Sequence, residues 1–380
     1  MTSKTQWVNE IYEKMEQKLY AECARMGEKI PYWTVGGVYE EDYAKKDIYW
    51  WTNGFWSGIL WQLYHATKKE FYLETARKNE DLLDQALHGF IGLHHDTGFM
   101  WLHSAVADYR LTGSEEAKVR GLNAASVLAG RYNPNGKFIR AWNPECVEEG
   151  EDCTGWIIVD SMMNIPLLYW AGQITGDPRF QQIAVNHADT VASYLVREDG
   201  SCGHIACINP DTGELEHILG GQGYSETSSW SRGQSWILYG FALSYRHTKN
   251  KKYLDIAKKT AHYFISNIAL TGYIPLCDFR QPASAAYTDT SAGLCAACGL
   301  LEIAEHVDEC EKNLYRTYAE LILKHTAETC CDWNPDTDGI VQNCKVAFHN
   351  DRREQTDLIY ADYFLTEAVL RLLGKDFLIW

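Results

Sequence analysis

A two-helix unit recurs at least five times along this chain, at 54–83, 103–132, 160–195, 232–268 and 290–326. In each, a helix rich in Gly, Ala and aromatic residues leads through a short Thr-x-(Asn/Asp/Lys)-like turn into a second helix with a charged face. The first helix is apolar nearly all round and must be buried, whereas the second has one apolar stripe and one solvated face. The N-terminal helix and the C-terminal YADYFLTEAVLRLL make a sixth pair. Six inner and six outer helices predict an all-α fold, an (α/α)6 barrel, as a single domain over residues 1–380. The competing architecture is an open superhelical solenoid, whose repeats are shorter and more regular than these. Because apolar residues recur every three or four positions rather than alternating, strands are not expected almost anywhere.

In such a barrel the segments ahead of the inner helices converge on one mouth, and here they are DIYWWTNGFW, GLHHDTGFMW, CTGWIIVDSMMN, GGQGYSETSSWSRGQSW and FRQPASAAYTDTSAG. The active site is expected there. Fourteen Trp, 23 Tyr and 12 Phe make the chain rich in the flat faces on which sugar rings stack, although any single aromatic also serves as core. A formal charge of −16 without a basic block argues against nucleic acid and anionic membrane as partners. The N-terminal segment reads as an amphipathic helix rather than a signal peptide, no stretch is long and apolar enough to span a bilayer, and the 12 cysteines are scattered. The expectation is therefore a cytoplasmic protein with reduced thiols, in which Cys295 and Cys298 pack rather than react. Oligomeric state is not legible.

Three segments carry chemistry. His94-His95-Asp96 lacks the downstream partner that a zinc site wants, so no metal or other cofactor is expected; Asp96 also fits an Asx-turn before Gly98. Asp160 stands where an ordinary helix N-cap stands, but at the mouth. If it faces Asp96, the two carboxylates cannot both ionise easily and one becomes a usable general acid. Arg232, among Trp230, Gln234 and Trp236, suits a carboxylate or sugar hydroxyls, or else holds a loop. His204 is ambiguous alone.

With WWTNGFWSG, HHDTGF, VDSMMN, HIACINPDTGE, QGYSETSSWSRGQSW, TDTSAG and DYFLTEAVLRL in this order, the sequence resembles the unsaturated glucuronyl hydrolases over nearly its whole length. The resemblance implies the same barrel, Asp160 as general acid/base and Asp96 as its neighbouring partner. It also implies that His95, His204, Gln222 and Arg232 contact the substrate, and that Trp51 (rather than Trp50), Trp230 and Trp236 line the sugar site. The implied substrate is a lyase-generated glycosaminoglycan oligosaccharide bearing a 4,5-unsaturated uronic acid. Around Gln342–His349 the chain departs from the Ser- and Lys-containing segment of relatives acting on sulfated disaccharides. Lys345 is kept and the serines are not. The rival readings are an unsaturated rhamnogalacturonyl hydrolase, a sugar 2-epimerase using His94, His95 and His204, and a noncatalytic carbohydrate-binding protein.

Overall fold

The computed structural model describes residues 3–90, 92–350 and 356–380. The outer helices are α1 (Ser3–Met26), α3 (Glu70–Gly89), α5 (Glu115–Ala129), α7 (Pro178–Tyr194), α9 (Lys251–Ile268) and α11 (Glu309–Thr329). The inner ones are α2 (Phe55–Thr67), α4 (97–112, with a π-helical turn at Leu102–Val106), α6 (Ser161–Asn164 and Pro166–Thr175), α8 (Ser231–Thr248), α10 (Thr290–Ala304) and α12 (Ile359–Leu373). Each inner helix packs on the next, and α12 returns to α2, so the ring closes and the solenoid alternative falls away.

The recurring Thr of the repeat has a local job. Thr67, Thr112, Thr175 and Thr248 each end an inner helix, bonding their hydroxyl back to the carbonyl four residues earlier. The same hydroxyls accept the N–H groups of Lys69, Ser114, Asp177 and Asn250, which open the following outer helices. Between them Lys68, Gly113, Gly176 and Lys249 take the left-handed conformation that stops the helix. Ser114, Asp177 and Asn250 then cap the next helix through their side chains.

The inner helices are buried on every side over most of their length, and all 15 residues of α10 are. Cys295 and Cys298 lie within it, and burial pushes both thiols up, as packing residues require. The barrel axis is filled with aromatic rings. Trp51 meets Phe99 at 5.5 Å, Phe99 meets Trp236 at 5.3 Å, and Trp236 meets Phe364 at 5.6 Å. At the closed end Trp380 stacks on Phe364 and donates its indole N–H to Glu367. Among the described residues no helix is long and apolar enough to cross a membrane.

Five short strands depart from the sequence expectation. They form a hairpin of β1 (Tyr132–Asn133) and β2 (Phe138–Ile139), and an antiparallel sheet ordered β3 (Trp156–Ile158), β4 (Ile205–Ile208), β5 (Leu215–Leu219). All lie in the long connections from an outer helix to the next inner one, where backbone leaving the helices must find other hydrogen-bond partners. At two to five residues each, they are too short for alternation to announce them.

Candidate active site

The register of the small sheet brings the first pair of groups together. Ile158 pairs with Ile205, and the Val159 N–H donates to the His204 carbonyl at 3.2 Å. Asp160, two residues past Ile158, and His204, one before Ile205, therefore meet at the start of α6, with His204 Nε2 3.6 Å from Asp160 Oδ2. His204 Nδ1 lies 2.9 Å from the Gln222 nitrogen and 3.3 Å from the Gly220 carbonyl, and its Nε2 faces the Asp160 carboxyl. Asp160 sits at the N-cap position but makes no capping bond with its side chain. Its carboxyl points instead into the mouth, as the N-cap reading did not require.

Asp96 opens α4 beside it. Its Oδ1 accepts from Asn164 Nδ2 at 2.9 Å, and its Oδ2 lies 3.3 Å from His94 Nδ1 and 3.4 Å from His95 Nε2. Burial, and then the charge of Asp160, raise Asp96 well above the ordinary carboxyl range, which favours its protonated form. Burial, with the charge of Arg131, pushes His94 down to about 4, and burial with the charge of His94 holds His95 well below its usual value. Burial thus favours the neutral form of both imidazoles and of the carboxyl beside them. Among the described residues His94, His95 and Asp96 are the group able to bring three metal-type donor atoms within 4.8 Å of one another. Asn164 engages Oδ1 of Asp96, while Oδ2 faces the two rings, of which His94 Nδ1 accepts the Asp96 N–H at 3.4 Å and His95 Nε2 makes no hydrogen bond.

Arg131 braces this turn. Its guanidinium donates to the carbonyls of Leu93, Arg140, Ala141 and Trp142 and to Asn143 Oδ1, and the His95 N–H bonds the same Ala141 carbonyl. The sequence does not announce this role, because a lone arginine at a helix end carries no motif.

Above the carboxyl pair opens a cavity of about 490 Å³ whose lining includes Asp47, Tyr49, Trp50, Trp51, His94, Asp96, Trp142, Glu145, Asp160, Gln222 and Arg232. Trp50 and Trp51 both border it, so the choice between them dissolves. Three expected positions, Trp236, Trp230 and His95, lie off the cavity wall. Trp236 is wholly buried between Phe99 and Phe364, because five residues into α8 it lies about 7.5 Å along the axis from Ser231. Trp230 lies behind the wall, against His204 at 4.6 Å and under the Arg232 guanidinium. His95 is fully buried behind Asp96, and His94 lines the cavity in its place. Arg232 reaches the wall, where it is paired with Asp289 and donates to the carbonyls of Lys345 and Val346, so it also holds this loop. Gln222 shares that work, donating to the Val346 carbonyl at 3.0 Å. Lys345 is buried with its ammonium 2.9 Å from the Asn350 carbonyl and over the Tyr287 ring.

The sequence pattern of Glycosyl Hydrolase Family 88 matches residues 28–264. The unsaturated glucuronyl hydrolase of Bacillus sp. (strain GL1) is 35% identical over 357 residues, which span 92% of this chain and 92% of that protein. The unsaturated chondroitin disaccharide hydrolase of Streptococcus agalactiae serotype III (strain NEM316) is 32% identical over 380 residues, spanning 98% of this chain and 93% of that protein. A crystal structure of the unsaturated glucuronyl hydrolase from Bacillus sp. GL1, responsible for the degradation of glycosaminoglycan, superposes with a TM-score of 0.90 at 32% identity over 96% of each chain. Matched in sequence and in barrel over most of its length, the chain belongs to glycosyl hydrolase family 88, with the unsaturated glucuronyl hydrolases.

Proposed function

We propose that this enzyme removes the 4,5-unsaturated uronic acid from the non-reducing end of lyase-generated glycosaminoglycan oligosaccharides, with Asp160 as general acid/base. The observation that carries this assignment is the pair of carboxyls, Asp160 and Asp96, lying in a sugar-sized cavity between aromatic walls, with Asp96 raised above the ordinary carboxyl range by burial and by Asp160. The substrate's double bond is an enol ether conjugated to a carboxylate. Protonation of carbon 4 leaves an oxocarbenium-like centre at carbon 5. A water then adds to carbon 5 and gives its proton to the carboxylate that supplied the first one. The resulting hemiketal opens to a ketone, and the hemiacetal left at carbon 1 expels the neighbouring sugar. One water is consumed and the acid/base is restored, so a second carboxylate need not attack the anomeric carbon. The epimerase alternative wants two histidines facing a substrate as acid and base. Here His94 and His95 stand on one turn beside Asp96.

The assay is the near-ultraviolet absorbance of unsaturated chondroitin, hyaluronan and heparin disaccharides, with a rhamnogalacturonan disaccharide alongside. Loss of the alkene signal with the glycosaminoglycan fragments, unchanged by EDTA, is the expected result. Turnover of the pectin fragment alone, or dependence on a restored divalent ion, would overturn the assignment.

The corrected positions of the tryptophans give a second prediction. Trp51→Ala should raise KM about tenfold with kcat little changed, because it removes a stacking face used equally by substrate and transition state. Trp236→Ala should cost about 3–5 kcal/mol of stability by opening a core cavity, and leave the KM of the folded enzyme alone. Thermal melts and steady-state kinetics on both variants check this, and a KM effect from Trp236→Ala would return that ring to the sugar site.

A further inference from the structure

Asn164 is fully buried in the short first segment of α6, and its amide makes three bonds. Its Oδ1 accepts the Phe99 N–H at 2.7 Å, while its Nδ2 donates to Asp96 Oδ1 at 2.9 Å and to the Asp160 carbonyl at 3.2 Å. A backbone N–H can only donate and a backbone carbonyl can only accept, so these partners fix which way the amide points. The close crossing of α4 and α6 is built for this contact: a Cβ on Gly98 would lie 2.4 Å from the Asn164 Cα and carbonyl oxygen. Nothing but glycine fits there.

We propose that Asn164 is a positioning residue that orients Asp96 and decides which of its oxygens carries the proton. With Oδ1 accepting from the amide, the proton of the carboxyl, when it carries one, belongs on Oδ2, which faces His94 Nδ1 at 3.3 Å and His95 Nε2 at 3.4 Å. An amide neither gains nor loses a proton in this range, so Asn164 holds the acid without competing for what it carries. The same side chain ties Asp96 to the backbone of Asp160, so that the two carboxyls keep one spacing through the cycle. The charged and titratable groups around Asp96 are His94 and His95 on its own turn, Asp160 on α6, Arg131 beyond α5, and His204 beyond Asp160. Asn164 does not border the cavity, so it acts through Asp96 rather than on the sugar.

This inference rests on the proposed double-bond hydration, and its test separates the two. Wild type, Asn164→Ala and Asn164→Asp are compared on the unsaturated chondroitin disaccharide between pH 4.5 and 8.5, with melting temperatures measured in parallel. Asn164→Ala should lose about 10- to 100-fold in kcat, the scale of one hydrogen bond to a charged or reacting group, with KM within about threefold. Asn164→Asp keeps an acceptor for the Phe99 N–H and so keeps the fold. Its new carboxyl can donate to Asp96 only when protonated, so its pH profile should move to the acid side by about one unit or more. A purely structural role would lower the melting temperature of both variants and leave the shape of the pH profile unchanged, and that result overturns the inference. Wild-type kcat and profile in both variants overturn it too. If the wild type itself turns over no unsaturated fragment, the functional reading beneath fails and takes the inference with it.

Discussion

Asp160→Asn folds as the wild type does and loses about 10³-fold in kcat, the size expected when a single group acts as both acid and base. The substitution is nearly isosteric, and Asp160 has no capping bond to lose, so helix α6 should start where it does now. His204 Nε2 lies 3.6 Å from the Asp160 carboxyl and makes no hydrogen bond to it, so the substitution breaks none there. An amide, however, cannot deliver a proton to carbon 4 or take one from water. Substrate binding should persist, because the cavity walls at Trp50, Trp51 and Trp142 are untouched. The measurement is turnover of the unsaturated disaccharide beside its binding constant and the melting temperature. Wild-type turnover in this variant would remove Asp160 from the chemistry; lost turnover together with a large drop in melting temperature would make it a structural residue.

The barrel was legible because its signals are local and repeated: a 3.6-residue apolar period, and a threonine whose hydroxyl closes one helix and opens the next. The two aspartates were legible as polar residues at the starts of buried helices. The link between Asp160 and His204 was not, since it depends on the register of strands three and four residues long, joined across more than 40 positions. Trp236 was misplaced for a different reason. A motif such as SRGQSW names neighbours in sequence, but a helix advances 1.5 Å per residue, so one motif spans both cavity wall and core. Asn164 and Arg131 escaped notice because each acts through partners on other elements, and neither residue type announces that from sequence.

Asp96→Asn should separate stability from activity in opposite directions. Buried Asp96 binds its proton more tightly in the folded protein than in the unfolded chain, first because of burial and then because of Asp160. Below the ordinary carboxyl pKa both states are protonated and the group costs nothing. As pH rises from there towards the raised folded value, folding must take up a proton, and stability falls by about 1.4 kcal/mol per pH unit. Asparagine mimics the protonated form: its oxygen can accept from Asn164 and its amide can donate to the histidine rings. The variant should therefore melt about 1–3 °C above the wild type near pH 7, with the gap closing towards pH 4. Activity should move the other way. Asp160 gives its proton to carbon 4, and the raised carboxyl of Asp96 beside it is the store that keeps Asp160 supplied; asparagine removes the store. A loss of about 10²-fold in kcat at pH 7, with the optimum displaced to lower pH, is the expected kinetic result. Calorimetry at pH 5 and pH 8, beside the pH–rate profile, checks both halves. A melting gap that does not widen with pH would mean that Asp96 is ionised in the folded enzyme, and an unchanged pH optimum would mean that its proton is not the one the reaction uses.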